Sequence, residues 1–201
     1  MTRRFELTFD YLCPFARNAN EHVVEGLRSG ADWEVGFVPF SLAQGHVEPG
    51  ETPVWDRDEP LGESGILALA AGVVVRDDHP ERFLDVHEAL FAARHDAGLD
   101  IKDRAVVANV LRRTGVDPDA VFARIDDGPA LKAVREEHDA AVSREVWGVP
   151  TFMTEHRAVF VRVLDRPDGD GARATRRIEQ VVDLVDDAAM LHEFKQVDLP
   201  V

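Results

Sequence analysis

"FDYLCPFARNANEHVV", residues 9–24, holds the only cysteine of a 201-residue chain, Cys13, with Pro14 directly behind it. Upstream, "RRFELTFDY" (3–11) alternates Phe5, Leu7, Phe9 and Tyr11 on one side, the period of a half-buried strand. Pro14 suits a first helical position, where its missing N–H leaves no bond unmade. Ala16, Val23, Val24 and Leu27 continue as an apolar stripe, and Gly30 ends the segment. "DWEVGFVPF" (32–40) returns as a second strand rich in β-formers. The order is therefore strand, helix, strand, with the cysteine at the first strand-to-helix junction. A thiol there faces unpaired N–H groups of the first turn and the positive end of the helix dipole, which favour thiolate. Cys13 is accordingly expected to be partly exposed, with a pKa below that of a free cysteine. A buried, inert cysteine that only packs is the competing reading.

Beyond residue 55 the pattern changes to consecutive helices. "ESGILALAAGVVV" (63–75), "HPERFLDVHEALFAARHDAG" (79–98) and "IKDRAVVANVLRRTG" (101–115) come first. "DPDAVFARIDDG" (117–128), with Asp117 as N-cap, and "PALKAVREEHDAAVSREV" (129–146) complete the set. "QGHVEPGETP" (44–53) reads as a linker. After Gly148, "PTFMT" and "RAVFVRVL" flank the turn "EHR" as an antiparallel hairpin, and "ARATRRIEQVVDLVDD" (172–187) is an amphipathic helix. The tail "AAMLHEFKQVDLPV" (188–201) fits a short docking helix or a loop equally well. One sheet assembled from both ends of the chain buries more apolar area than two half-sheets. The expected fold is α/β: residues 1–54 and 147–201 form the sheet domain, and 55–146 an inserted α-helical subdomain.

Composition removes several function classes. A formal net charge of −15 argues against nucleic acid, whose phosphates such a surface repels. The longest apolar run, Ile66–Val75, is too short to cross a bilayer, so no membrane role is expected. "MTRRFELTFD" shows no signal-peptide core, and a lone cysteine cannot form an internal disulfide; both lead to a cytoplasmic expectation. Basic residues are almost all arginine, as in GC-rich bacterial genomes. His79, His87 and His95 recur every eight residues, which is not the three- or four-residue spacing of metal ligands on one helix, so no metal site is expected.

"CPFA" (13–16) before the first helix and "GVPTF" (148–152) before the third strand, with helices inserted between them, resemble the thioredoxin superfamily. The match is to its DsbA-like branch, which includes FrnE-type proteins, 2-hydroxychromene-2-carboxylate isomerases and kappa-class glutathione transferases. Residues 88–117, "EALFAARHDAGLDIKDRAVVANVLRRTGVD", are similar to that branch's insertion. The resemblance implies a thioredoxin fold (βαβ…ββα) with Cys13 as nucleophile. It implies a cis Val149–Pro150 pair facing the thiol, with Thr151 beside it, and Pro14 and Phe15 at the variable positions of the motif. The second cysteine of that motif is replaced by Ala16, and no other cysteine exists.

What remains is monothiol exchange: attack on a disulfide or electrophilic substrate, then release by an external low-molecular-weight thiol such as glutathione or mycothiol. No tightly bound cofactor is expected, and the sequence is compatible with a homodimer. A kappa-class transferase or isomerase activity is the alternative, although those enzymes usually carry Ser where this chain has Cys13. A non-catalytic thioredoxin-fold binding protein is the third reading. His95 is a candidate for the substrate pocket because the helical block covers the site in relatives. Trp55 and Trp147 fit a pocket lining or the core. Asp10 is expected as a solvated or capping carboxylate rather than a proton shuttle for the thiol.

Overall fold

The computed structural model describes residues 2–186. β1 (Arg3–Phe9) leads into α1 (Pro14–Arg28), and β2 (Trp33–Pro39) pairs parallel to β1 from Arg3↔Trp33 to Phe9↔Pro39. α2 (Leu42–Gly45) is a single turn, followed by tight turns at Val54–Asp56 and Pro60–Gly62. Then come α3 (Ile66–Asp78), α4 (Pro80–His95), α5 (Arg104–Arg113), α6 (Pro118–Asp126) and α7 (Pro129–Ser143). β3 (Thr151–Met153) and β4 (Ala158–Phe160) form the hairpin, and α8 (Gly171–Asp186) packs against α1. The sheet order is β2-β1-β3-β4, with β3 antiparallel to both of its neighbours. This is the thioredoxin arrangement with helices inserted between β2 and β3. The tail 188–201 lies outside the described residues.

Local sequence explains the helix starts. Asp103 accepts the Ala105 N–H at 2.7 Å and Asp117 accepts the Asp119 N–H at 3.0 Å. Each such cap contributes about 1 kcal/mol. Pro14, Pro80, Pro118 and Pro129 all occupy first-turn positions. α3 is buried along most of its length, from Ile66 to Val75, which is why its sequence is apolar on every side. One hydrophobic core joins the sheet to the helical block: Phe9 and Tyr11 meet Phe91 and His87 of α4 in edge-to-face contacts. Gly72 on α3 makes room for this meeting, since a Cβ there would lie 2.4 Å from the Tyr11 hydroxyl.

The second hairpin strand is shorter than its sequence predicts. "RAVFVRVL" has the alternation of an eight-residue strand, but ladder pairing stops at Phe160. A last backbone bond joins the Val161 N–H to the Pro150 carbonyl at 3.1 Å, and beyond it the chain runs along α1, held by side chains. Asn18 donates to the Val163 carbonyl at 2.9 Å, His22 Nε2 to the Asp165 carbonyl at 3.2 Å, and Arg166 forks onto Glu21 at 2.7 and 2.9 Å.

Candidate active site

Cys13 is the N-cap of α1. Its extended backbone (φ −93°, ψ 118°) turns the sulfur over the first turn, where the Ala16 N–H donates to Sγ at 3.4 Å. The Val149–Pro150 bond is cis, and it sits against the thiol: Cys13 Sγ donates to the Val149 carbonyl at 3.5 Å. Residues 136 positions apart are thus brought together, as the resemblance to the DsbA-like branch implies. Thr8 of β1 holds the proline turn in place. Its hydroxyl accepts the Thr151 N–H at 2.8 Å and lies 3.3 Å from the Gly148 carbonyl, which also accepts the Thr151 hydroxyl at 2.8 Å. Nothing in the sequence marks Thr8, because a threonine inside a strand is ordinary.

The thiol itself differs from expectation. Cys13 is only 8% exposed, and burial pushes its pKa up rather than down. The N–H groups of Ala16 and Phe15 oppose that rise, Asp10 adds to it, and the Arg162 charge works against it. Helix-terminus stabilisation is present but smaller than the loss of solvent around the sulfur. Of the two roles expected for Asp10, solvated or capping, the structure shows the second, with the residue fully buried. It acts as a cap, accepting the Leu12 N–H at 2.9 Å and the Leu42 N–H at 2.8 Å, and so ties the loop before Cys13 to α2. Burial raises its pKa to about 6 despite those two donors.

His95 reaches the site indirectly. Its Nε2 donates to the Tyr11 carbonyl at 2.9 Å, anchoring the loop two residues before the thiol. His87 is buried among Phe9, Tyr11, Phe37, Phe83 and Phe91, and burial lowers its pKa to about 3. Its neutral ring links the Tyr11 hydroxyl (2.9 Å) to Asn20 Oδ1 (3.0 Å). Asn20 Nδ2 donates in turn to the Ala16 carbonyl at 2.7 Å. Because that bond uses the amide nitrogen, Oδ1 must accept from His87 Nε2–H, and Nδ1 accepts from tyrosine. His79 is the junction residue between α3 and α4.

Trp55 and Trp147 divide. Trp55 is buried against His138, whereas Trp147 is 70% exposed, with its ring 4.4 Å from and tilted to that of Phe160. Pro14 is exposed and Phe15 half-buried at the rim of the thiol. Among the described residues no three His, Cys, Asp or Glu side chains gather as a metal site, and no helix is long and apolar enough to cross a membrane.

A cysteine capping a helix opposite a cis-proline turn, on this sheet, defines a thioredoxin-type thiol site. Residues 6–168 match the family model of the DSBA-like thioredoxin domain, and the chain belongs to that family. "Uncharacterized protein Rv2286c" of Mycobacterium tuberculosis is 28% identical over 165 residues, covering 82% of this chain and 70% of the relative. Oxidised BdbD from Bacillus subtilis superposes with a TM-score of 0.62 at 17% identity, over 88% of this chain and 85% of BdbD. The catalytic domain of Proteus mirabilis ScsC gives 0.58 at 16%, over 89% and 83%. The thiol-disulfide exchange protein alpha-DsbA2 from Wolbachia pipientis gives 0.58 at 12%, over 89% and 81%. At these identities the structural likeness speaks for the fold.

Proposed function

We propose that the protein is a thiol–disulfide oxidoreductase acting through Cys13 alone, with an external low-molecular-weight thiol as co-substrate. The observation that carries this reading is the seat of the sulfur, capped by the Ala16 N–H and facing the Val149 carbonyl of the cis-proline turn, with Ala16 where a resolving cysteine would stand. The thiolate attacks one sulfur of a disulfide; the S–S bond breaks, one half leaves as a thiolate, and the other stays joined to Cys13. A second thiolate, from glutathione, mycothiol or a similar molecule, then attacks the substrate sulfur of the mixed disulfide; that half leaves joined to it as a new disulfide, and Cys13 returns to its thiolate. Because burial raises the Cys13 pKa, attack proceeds through a minor thiolate fraction that is intrinsically more nucleophilic than a low-pKa one. A reducing compartment such as the cytoplasm would supply the co-substrate.

The same raised pKa favours one second reading. A thiol that stays protonated can donate its S–H to the sulfur of a bound glutathione, as a serine would in a kappa-class transferase or isomerase. Cys13→Ser separates the two. Under thiol exchange, mass spectrometry should show a mixed disulfide on wild-type protein that decays faster as thiol is added, and the variant should lose adduct and turnover together. Ala16→Cys should clear the adduct with no added thiol. Full turnover by Cys13→Ser would reject thiol exchange and leave the transferase reading in front.

A further inference from the structure

Arg162 follows β4 by two residues, and its guanidinium lies over the Phe15 ring at 5.5 Å and over the Phe160 ring at 5.8 Å. The segment that bears it is strapped along α1 by Asn18, His22 and Glu21, so the cation is held beside the mouth of the thiol site. Its charge acts on Cys13 directly, favouring the thiolate. Among the described residues no carboxylate pairs with Arg162, although Asp165 follows it by three positions and α1 beside its segment carries Glu21. Asp165 is taken by Arg177 at 2.5 Å, and Glu21 and Asp96 are shared between Arg17 and Arg166. Arg162 is exposed, and a guanidinium beside aromatic rings with no carboxylate partner has N–H groups free to receive a substrate carboxylate with two parallel bonds.

We propose that Arg162 is a specificity residue, selecting disulfides whose sulfur carries a carboxylate a few atoms away. The inference rests on the thiol-exchange reading above. In the attacking complex the carboxylate meets the free edge of Arg162 while the substrate sulfur meets Cys13. The reaction is unchanged: one S–S bond breaks, one forms on Cys13, and the leaving half departs as a thiolate. Selection of an anion by an acidic protein is then local, since at physiological salt the remaining charge is screened beyond about 8 Å.

The test compares three aliphatic disulfides of similar length: dithiodipropionate (anionic), bis(hydroxyethyl) disulfide (neutral) and cystamine (cationic). Initial rates of adduct formation on Cys13 are followed by mass spectrometry at about physiological salt, for wild type and Arg162→Gln. The neutral probe absorbs any change in thiolate fraction caused by removing the cation. Relative to it, the dithiodipropionate rate should fall about fivefold in the variant, the size of an exposed ion pair, while the relative cystamine rate should not fall. A change by one common factor for all three probes would overturn the specificity role while leaving thiol exchange standing. A wild-type protein that forms no adduct with any probe would overturn both.

Discussion

On its inner side Cys13 rests against buried polar groups that are all satisfied: Asp10 under its loop, and the Tyr11–His87–Asn20 chain running back to the Ala16 carbonyl. On its outer side lie Trp147, Phe160, Arg162 and Phe15, in contact with one another near the surface. The inner groups are held by geometry and have no freedom to meet a substrate. Of the outer ones, Trp147 and Arg162 are exposed, and among the described residues Arg162 has no carboxylate partner. One thiol is thus positioned from behind by core packing, while in front it borders exposed aromatic and cationic side chains. Substitutions on the two sides should therefore register in different measurements.

The largest effect should come from within. His87→Ala leaves a cavity among five aromatic rings and strands the Tyr11 hydroxyl and Asn20 Oδ1, so urea unfolding at neutral pH should show a loss of about 3 kcal/mol. That loss should shrink in acid. The wild-type histidine has a folded pKa lowered to about 3, so its stabilisation is complete above the unfolded value near 6.5 and fades as pH falls toward the folded one. A loss that stays constant from neutral to acid would show that His87 does not fold neutral. Next, Gly72→Ala should destabilise by about 1–2 kcal/mol through the clash with Tyr11. An exposed helical glycine would show the opposite sign, so a thermal midpoint at or above wild type would break the packing argument.

Smaller still is the effect of Asp10→Asn. Removing a charge that raises the Cys13 pKa should move the thiolate absorbance midpoint to lower pH, and a midpoint that stays or rises would disconnect Asp10 from the thiol. The smallest stability change belongs to the outer side. Trp147→Ala should alter unfolding by less than about 0.5 kcal/mol, because the ring is mostly exposed. A loss comparable to that of His87→Ala would erase the distinction between the two sides.

Much of this was legible in residues 3–40 and 147–152. Alternation in "RRFELTFDY", proline at a first helical position and "GVPTF" before a strand are local signals, and each appears in the structure where its pattern lies. The limits of the reading fall on "RAVFVRVL", whose alternation predicted a longer strand. Asn18, His22 and Glu21 of α1 draw that segment off the sheet, and no pattern within the segment records those partners. Thr8 and Arg162 were missed for the same reason.

By itself the sequence determined that a strand–helix junction carries a lone thiol without a resolving partner, because helix caps, strand periods and the count of cysteines are properties of neighbouring residues. The tertiary structure decided how that thiol behaves. Its pKa depends on how far folding removes solvent from the sulfur, which lies against the Val149 carbonyl, and on the charges of Asp10 and Arg162 brought near it. Desolvation and charge act through space, between groups that lie far apart along the chain, so the direction of the shift emerged only once the chain was folded.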